Sequence, residues 1–142
     1  MAKKARPDDM PWLVPYLVVK DADKALDFYE RAFGFARRNA MTGDDGKTTH
    51  AEVVYKDQVV MFAPEGAYGS PARAPASLGA TAAVTLYVYC EDVDALCRRA
   101  EAAGAAVAMA PADMFWGDRM CSLIDPDGHA WNFATHIGEA KG

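Results

Sequence analysis

The segment FWGDRMCSLIDPDGHAWNFATH, from Phe115 to His136, concentrates side chains that could do chemistry. It holds two Trp, two His, one Arg and three Asp residues. Such residues can hold a metal ion, move protons or bind a ligand through ring and charge contacts. A second candidate is His50 with Glu52, because side chains two positions apart in a strand point the same way. Either of these two could act as a general acid or base toward a carbonyl compound.

These residues need a scaffold, and the hydrophobic pattern predicts a first module of a strand, a helix and three more strands. Apolar residues recur at helical spacing after Asp21, and Gly34 stands where a helix-ending glycine is expected. A tight hairpin is predicted at Lys56-Asp57. The predicted elements are a strand Val14–Asp21, a helix Asp21–Gly34, and strands Phe35–Met41, Thr48–Tyr55 and Gln58–Phe62.

A second module repeats the first. Asp21 and Asp92 both open a predicted helix and lie 71 positions apart, as do Phe62 and Phe133 near each module's end. Its predicted elements are a strand Ala83–Cys90, a helix Asp92–Gly104, and strands Ala106–Met109, Met120–Ile124 and Ala130–His136. The sequence thus predicts one α+β domain of two βαβββ modules, at about 12–63 and 82–137. The Pro- and Gly-rich segment 64–80 between them is predicted to be a linker or a lid.

Bulk composition narrows the classes of partner. The chain has 142 residues, 51% of them hydrophobic, with a net charge of −5 and a pI of about 5.1. An acidic chain lacks the basic surface that nucleic acid binding requires. No apolar run approaches the roughly 20 residues of a membrane span, and no secretory signal is expected. Three cysteines without metal-site spacing predict reduced thiols in a cytoplasmic protein.

Four stretches resemble the vicinal oxygen chelate superfamily, which includes glyoxalase I, extradiol dioxygenases, fosfomycin-resistance transferases and bleomycin-resistance proteins. They are YLVVKDADKALDFYERAFGF, THAEVVYKDQVVMF, YVYCEDVDALCRRAEAAGA and the Phe115–His136 segment. The HAE, FWGDR and DPDGH motifs are most similar to its PhnB-like branch. The resemblance implies a curled mixed sheet around a cleft between the modules, and a homodimer. Whether modules pair within one chain or across two stays open.

In the metalloenzymes of this superfamily, ligands come from the first and last strands of each module. The resemblance places those four positions at Val14, Met61, Thr85 and Asn132. None supplies the imidazole or carboxylate that a divalent cation prefers. We therefore predict a chain without metal or other cofactor. The alternative is a displaced metal site built from His50, Glu52 and His136.

Without a metal, the chemistry that remains is aromatic and polar. Aromatic faces can stack on a flat ligand, and the Arg119 fork suits a carboxylate or phosphate. The predicted ligand-binding residues are Tyr16, His50, Glu52, Tyr87, Phe115, Trp116, Arg119 and Trp131. Structural alternatives stay open: Trp131 in the core, Arg119 paired with Asp118, and Glu52 solvated or paired with an Arg.

Three functions follow from these patterns. The favoured one is a metal-free protein that sequesters a small, partly aromatic molecule in the cleft. The second is a metal-dependent lyase, isomerase or dioxygenase that uses His50 and Glu52 as its displaced site and its candidate catalytic residues. The third is an assembly protein whose cleft has no ligand.

Overall fold

Two copies of one element order, strand–helix–strand–strand–strand, make up the chain. The computed structural model describes residues 3–139. Contacts between residues group the chain into two compact units. The first holds the residues up to Glu30 and Gly34–Arg73, and the second holds Arg31–Phe33 and the residues from Ala74 onward. The predicted α+β class and tandem βαβββ modules are confirmed.

The first unit contains a four-stranded mixed sheet in the order β1-β4-β3-β2, with β1 parallel to β4 and the other pairs antiparallel. Its elements are β1 (Tyr16–Val19), α1 (Ala22–Phe33), β2 (Ala36–Thr42), β3 (Thr48–Tyr55) and β4 (Gln58–Pro64). The predicted hairpin is present, because Tyr55 pairs with Gln58 and Lys56 adopts a left-handed φ of 54°. Positive φ is what a two-residue hairpin turn requires.

Local signals set the ends of α1 as predicted. The Asp21 carboxylate accepts a hydrogen bond from Lys24 N–H at 3.0 Å, which satisfies one of the free donors of the first turn. Gly34 ends the helix with a left-handed φ of 71°, and its N–H returns to the Glu30 carbonyl. Asp92 caps the helix Val93–Ala102 in the same way, through Ala95 N–H.

The second unit repeats the topology, with the strand order β5-β8-β7-β6 and β5 parallel to β8. Its elements are α2 (Pro75–Leu78), β5 (Thr85–Tyr89), α3 (Val93–Ala102), β6 (Ala106–Asp113), β7 (Asp118–Ile124) and β8 (Ala130–His136). Strand β6 runs past the predicted end at Met109. The strand continues through Pro111, whose missing N–H is tolerated because β6 lies at the sheet edge.

The segment predicted as a linker or lid carries structure of its own. A 3-10 turn, Ala67–Gly69, lies in the first unit, and α2 lies in the second. Ala76 N–H donates to the Asp127 carbonyl at 2.9 Å, so α2 packs on the DPDG turn. Gly128 is required in that turn, because its φ is +88° and a Cβ there would lie 2.7 Å from Ala76 N.

Each sheet has a helix-facing side and an opposite side. In the first unit the Tyr29 ring of α1 meets Phe62 edge-on at 5.4 Å, so the α1 side carries the buried residues Val19, Ala51, Val53 and Phe62. In the second unit α3 packs on β6, β7 and β8 over Cys121, Leu123, Trp131 and Phe133. Strand alternation turns the intervening residues to the opposite side, where the candidate sites lie. Between residues 3 and 139, no helix is long and apolar enough to cross a membrane.

Candidate functional site

A hydrogen-bonded chain joins three predicted residues on the side of the first sheet away from α1. Tyr16 and Glu52 both pair in register with Met61, so they lie on the same face of the sheet. His50 lies on this face too, because it precedes Glu52 by two positions in β3. Tyr16 Oη lies 2.9 Å from His50 Nδ1, and His50 Nε2 lies 2.8 Å from Glu52 Oε2. Because a carboxylate only accepts, the tautomer of His50 that donates from Nε2–H to Glu52 leaves Nδ1 to accept the Tyr16 hydroxyl proton. We call these three residues the Tyr–His–Glu chain.

Arg38 continues this chain to the N-terminal segment. Glu52 is only 5% exposed, and its second carboxylate oxygen accepts from the Arg38 guanidinium. Arg38 also pairs with Asp9, and its hydrogen bond lowers the pKa of that carboxyl. Glu52 is therefore paired with an arginine, one of the arrangements that the sequence left open. Two carboxylates against one guanidinium leave the group with one net negative charge.

Tyr16 also borders a cavity of about 140 Å³ in the first unit. The lining is mostly apolar and comprises Tyr16, Val18, Ala63, Pro64, Ala67, Tyr68, Ser70 and Ala72. Partial burial raises the pKa of Tyr16, and the neighbouring Tyr68 and Glu52 raise it further. Its phenol therefore keeps its proton at neutral pH and can serve as the donor to His50.

The second unit centres on Asp118, which is 2% exposed. Its Oδ2 accepts hydrogen bonds from Tyr87 at 2.6 Å and Tyr89 at 2.8 Å, and its Oδ1 lies 3.1 Å from His136 Nδ1. Trp116 Nε1–H donates to the Tyr87 oxygen at 3.1 Å. The Tyr87 hydrogen bond lowers the pKa of Asp118, with a partial offset from burial. Burial and the bond to Asp118 raise the pKa of Tyr87 to about 12.

Four aromatic side chains around this carboxylate remain open to solvent, and we call them the aromatic face: Tyr87, Tyr89, Phe115 and Trp116. They are 41%, 54%, 69% and 37% exposed, respectively. Their rings meet in two edge-to-face pairs, Tyr87–Tyr89 at 5.5 Å and Phe115–Trp116 at 5.0 Å. The hydrogen bonds from Trp116 and the tyrosines orient three of the rings before any ligand arrives.

Gly117 explains how the FWGD segment turns its aromatic residues into this position. Its φ is +96°, and a Cβ there would lie 2.2 Å from the Gly138 carbonyl oxygen. The Gly117 carbonyl also accepts from Ile137 N–H at 2.8 Å. Only glycine allows this approach, so the turn that carries Phe115 and Trp116 is fixed against the end of β8.

Arg119 and Trp131, two of the predicted ligand contacts, lie on the α3 side of the second sheet. Arg119 binds the Asp94 carboxylate through two hydrogen bonds of 2.9 Å and Asp113 through one of 3.0 Å. It does not pair with Asp118, because consecutive strand residues point to opposite faces. Trp131 is 1% exposed and donates from Nε1 to Asp125 at 3.0 Å. We therefore leave both out of the binding surface proposed below.

The residues at the family metal positions do not fit a divalent cation. Met61 lies in register with Tyr16, and Asn132 lies in register with Tyr87, while Val14 and Thr85 supply no imidazole or carboxylate either. Within residues 3–139, no group of three or more His, Cys, Asp or Glu side chains could hold a metal ion.

The residues of the alternative metal site, His50, Glu52 and His136, already bind other side chains. Both Glu52 oxygens already accept, from Arg38 and His50. A cation would have to displace that guanidinium. His136, the third residue of the set, bonds to Asp118 in the second unit.

Sequence reasoning named Asp118 as a candidate polar contact without predicting its tyrosine and histidine partners, and it missed Tyr89 and Arg38. Tyr89 follows Tyr87 by two positions, so strand alternation could have placed both on one face. Arg38 gave no such signal. It lies at a register shift of β2, where Arg37 pairs with Val53 and Asn39 pairs with the adjacent Glu52. A bulge of this kind re-aims a side chain, and here it brings Arg38 to Glu52.

Comparison with known proteins identifies a matching family and a similar mycobacterial protein. The family described as Glyoxalase/Bleomycin resistance protein/Dioxygenase superfamily matches residues 10–133. The Mycobacterium bovis protein named Uncharacterized protein Mb0911c is 40% identical over 133 residues, 92% of this chain and 87% of that protein.

Two solved structures are also similar. TioX from Micromonospora sp. ML1 is 30% identical with a TM-score of 0.71, over 88% of this chain and 98% of TioX. TnmS3 from Streptomyces sp. CB03234, described as an antibiotic binding protein, is 26% identical with a TM-score of 0.64, over 87% of this chain and 93% of TnmS3.

Proposed function

Because the chain belongs to the Glyoxalase/Bleomycin resistance protein/Dioxygenase superfamily, we propose that it binds and sequesters a small, partly aromatic molecule without a metal. The observation that carries this proposal is the aromatic face. Three of the residues predicted as ligand contacts, Tyr87, Phe115 and Trp116, lie together there with Tyr89. Contiguous exposed apolar patches of this kind mark binding sites.

Preorganisation supports binding at this surface. The buried Asp118 carboxylate holds Tyr87 and Tyr89, and Tyr87 in turn holds Trp116. Rings fixed in advance lose little conformational entropy when a ligand arrives, so more of the stacking energy appears as affinity. Tyr and Trp are also the residues that most often supply large, rigid contact area at binding surfaces.

The relatives and the ligand chemistry support the same function. TnmS3 is described as an antibiotic binding protein and covers most of this chain, which fits a small-molecule binding role. The side chains at the four family metal positions are valine, methionine, threonine and asparagine, a set that favours binding without a divalent cation.

Calorimetric titration with 2-naphthamide tests this proposal, with its saturated decahydro counterpart as the matched ligand. A two-ring probe is larger than the cavity of about 140 Å³ in the first unit, and ring substitutions test whether the probe binds at the aromatic face. We expect the aromatic probe to bind more tightly than the saturated one. Phe115→Ala and Trp116→Ala should each weaken binding roughly two- to twelvefold, the equivalent of about 0.5–1.5 kcal/mol per ring pair.

Trp12→Ala is the matched control variant. Trp12 is 75% exposed and belongs to the first unit, so its removal deletes an exposed ring that is not one of the four rings of the aromatic face. Equal affinities for the two probes, or equal losses in Trp12→Ala and Trp116→Ala, would contradict the proposal.

The metal-free part is tested separately, by elemental analysis and by thermal melts with added Zn²⁺, Mn²⁺ or Ni²⁺. A cation that binds the folded protein raises the melting temperature according to its concentration over its dissociation constant. We expect no stoichiometric metal and no shift. One metal per chain, lost in His50→Ala, would favour the metal-dependent lyase, isomerase or dioxygenase instead.

The proposal also includes a homodimer, a cytoplasmic location and a place in the PhnB-like branch. The dimer and the branch come from the resemblance of the sequence motifs. The location comes from the three free cysteines, of which Cys97 and Cys121 are buried. Sedimentation velocity over a range of concentrations would establish the oligomeric state.

A further inference from the structure

The cavity of the first unit and the Tyr–His–Glu chain beside it form a second candidate site. We propose that this cavity binds a single-ring phenol and that the Tyr–His–Glu chain takes up the phenolic proton. This inference does not depend on the aromatic face, because all of its residues lie in the first unit.

The size and lining of the cavity select the ring. A cavity of about 150 Å³ with apolar walls accommodates one benzene molecule, and this cavity is about 140 Å³. The Tyr16 and Tyr68 rings offer aromatic contacts, and the remaining lining is mostly apolar. Tyr68 takes its place in the wall with a left-handed φ of 55°, an uncommon conformation for a bulky residue. Such outliers cluster at ligand sites.

The hydrogen-bond roles select the hydroxyl group. With the His50 tautomer described above, Tyr16 donates its own proton to His50 Nδ1, 2.9 Å away, so the Tyr16 oxygen can only accept a further hydrogen bond. A ligand group that hydrogen-bonds to the Tyr16 oxygen must therefore be a donor. A carboxylate or carbonyl ligand offers no donor and would meet a group that already carries one net negative charge.

Charge and connectivity allow the proton to move inward. The phenol proton passes to the Tyr16 oxygen while the Tyr16 proton passes to His50 Nδ1. Two O–H bonds break, and one O–H and one N–H bond form, so no oxidant or other reactant is needed. The resulting imidazolium keeps its bond from Nε2–H to Glu52, 2.8 Å away. Its positive charge neutralises the excess negative charge left by Asp9, Glu52 and Arg38.

The probe 4-nitrophenol tests this inference, because its phenolate absorbs at a longer wavelength than its phenol. The titration is made with the full chain at a series of pH values, so that the apparent pKa of the bound probe is compared with that of the free probe. We expect a saturable phenolate band and a fall of at least about one unit in the apparent pKa of the bound probe, a tenfold gain in phenolate. The matched ligand 4-nitroanisole has no proton to give, and it should compete without a spectral change.

Three variants locate the effect. Tyr16→Phe keeps the ring and removes the hydroxyl, so the band should fall about tenfold while 4-nitroanisole still binds. Ala67→Leu fills the cavity and should abolish binding of both probes. Tyr55→Phe is the matched control, since Tyr55 lies in the same unit on the α1 side and its ring contacts Phe35 in a tilted pair. It should leave the band unchanged, and a melt of each variant confirms that it is folded.

Each result decides the question. A band that is lost in Tyr16→Phe and Ala67→Leu but kept in Tyr55→Phe supports the proposal. Binding of neutral 4-nitrophenol would overturn the proton uptake. No saturable binding, or a band that survives in Ala67→Leu, would overturn the site itself.

Discussion

The variant Trp131→Phe tests whether Trp131 is a core residue or a ligand contact. The sequence predicted Trp131 as part of a binding wall, whereas the structure buries it to 1% exposure on the α3 side of the second sheet. Its ring lies nearly parallel to Phe133, with centroids 6.1 Å apart and an interplanar angle of 14°. Its Nε1–H donates to Asp125 Oδ2 at 3.0 Å. A phenylalanine keeps most of the ring packing and removes this donor.

The expected cost follows from those contacts. A hydrogen bond to a charged group contributes about 1.5–3 kcal/mol. The Asp125 carboxylate keeps its bonds from the Asp127 and His129 N–H groups, which moderates the loss. We therefore expect the free energy of unfolding to fall by about 2–3 kcal/mol, below the roughly 3–5 kcal/mol of a Trp→Ala truncation. For a chain of this size, that lowers Tm by about 4–12 °C.

Urea unfolding followed by circular dichroism measures this loss, and Trp116→Phe is the matched control. Trp116 is 37% exposed, so the same chemical change there should cost less than about 1 kcal/mol. In 2-naphthamide titrations the order should reverse, with Trp116→Phe weakening binding and Trp131→Phe leaving affinity unchanged. A neutral Trp131→Phe variant that loses ligand affinity would refute our assignment of Trp131 to the core.

Three further predictions concern the caps, the acid limb and the thiols. Asp21→Ala should lower the free energy of unfolding by about 1 kcal/mol through loss of the α1 cap, measured by urea unfolding, and an unchanged midpoint would contradict the cap. The folded-state pKa of Asp118 is lowered, so its contribution to stability is present above the unfolded pKa and lost as pH falls through the folded value. Asp118→Asn should flatten the acid limb of a plot of Tm against pH, and an unaltered slope would count against this. Burial raises the pKa of Cys121 to about 12, so a thiol reagent followed by intact mass should label it only after unfolding, and fast labelling of the native protein would be inconsistent with this burial.

The fold was predictable because several local signals agree. The cap residue Asp21, the terminating Gly34 and the hairpin at Lys56 each fix one boundary, and the 71-residue offset repeats the pattern. Two strands, Thr48–Tyr55 and Ala130–His136, match the prediction at both ends. The predicted end of β6 at Met109 was wrong, because the strand runs on to Asp113 through Pro111, a residue that the edge position of β6 tolerates.

The site was predictable only where one strand sufficed. His50 and Glu52 lie on one strand, so alternation alone predicts that they face the same way. Asp118 and its tyrosine partners lie on β7 and β5, which are separated in the sheet by β8. Their contact depends on side chains that reach across an intervening strand. A hydrophobic pattern predicts which face a side chain lies on, but not whether it reaches a residue two strands away. Arg38 depends on a bulge in β2, which left no mark in the hydrophobic pattern.

The two units use one tyrosine position in different ways. Tyr16 and Tyr87 lie 71 positions apart, and each pairs in register with a last-strand residue that the resemblance assigns to metal binding. In the second unit the Tyr87 hydroxyl binds Asp118 directly, and a carboxylate with a lowered pKa and several donors is a fixed anion that holds rings in place.

In the first unit an imidazole stands between the Tyr16 hydroxyl and the Glu52 carboxylate. Imidazole is the side chain whose unperturbed pKa lies near neutral pH, so the same hydroxyl now leads to a group that can accept a proton. This difference between a direct and an imidazole-linked carboxylate is the reason that we assign ring binding to the second unit and proton uptake to the first.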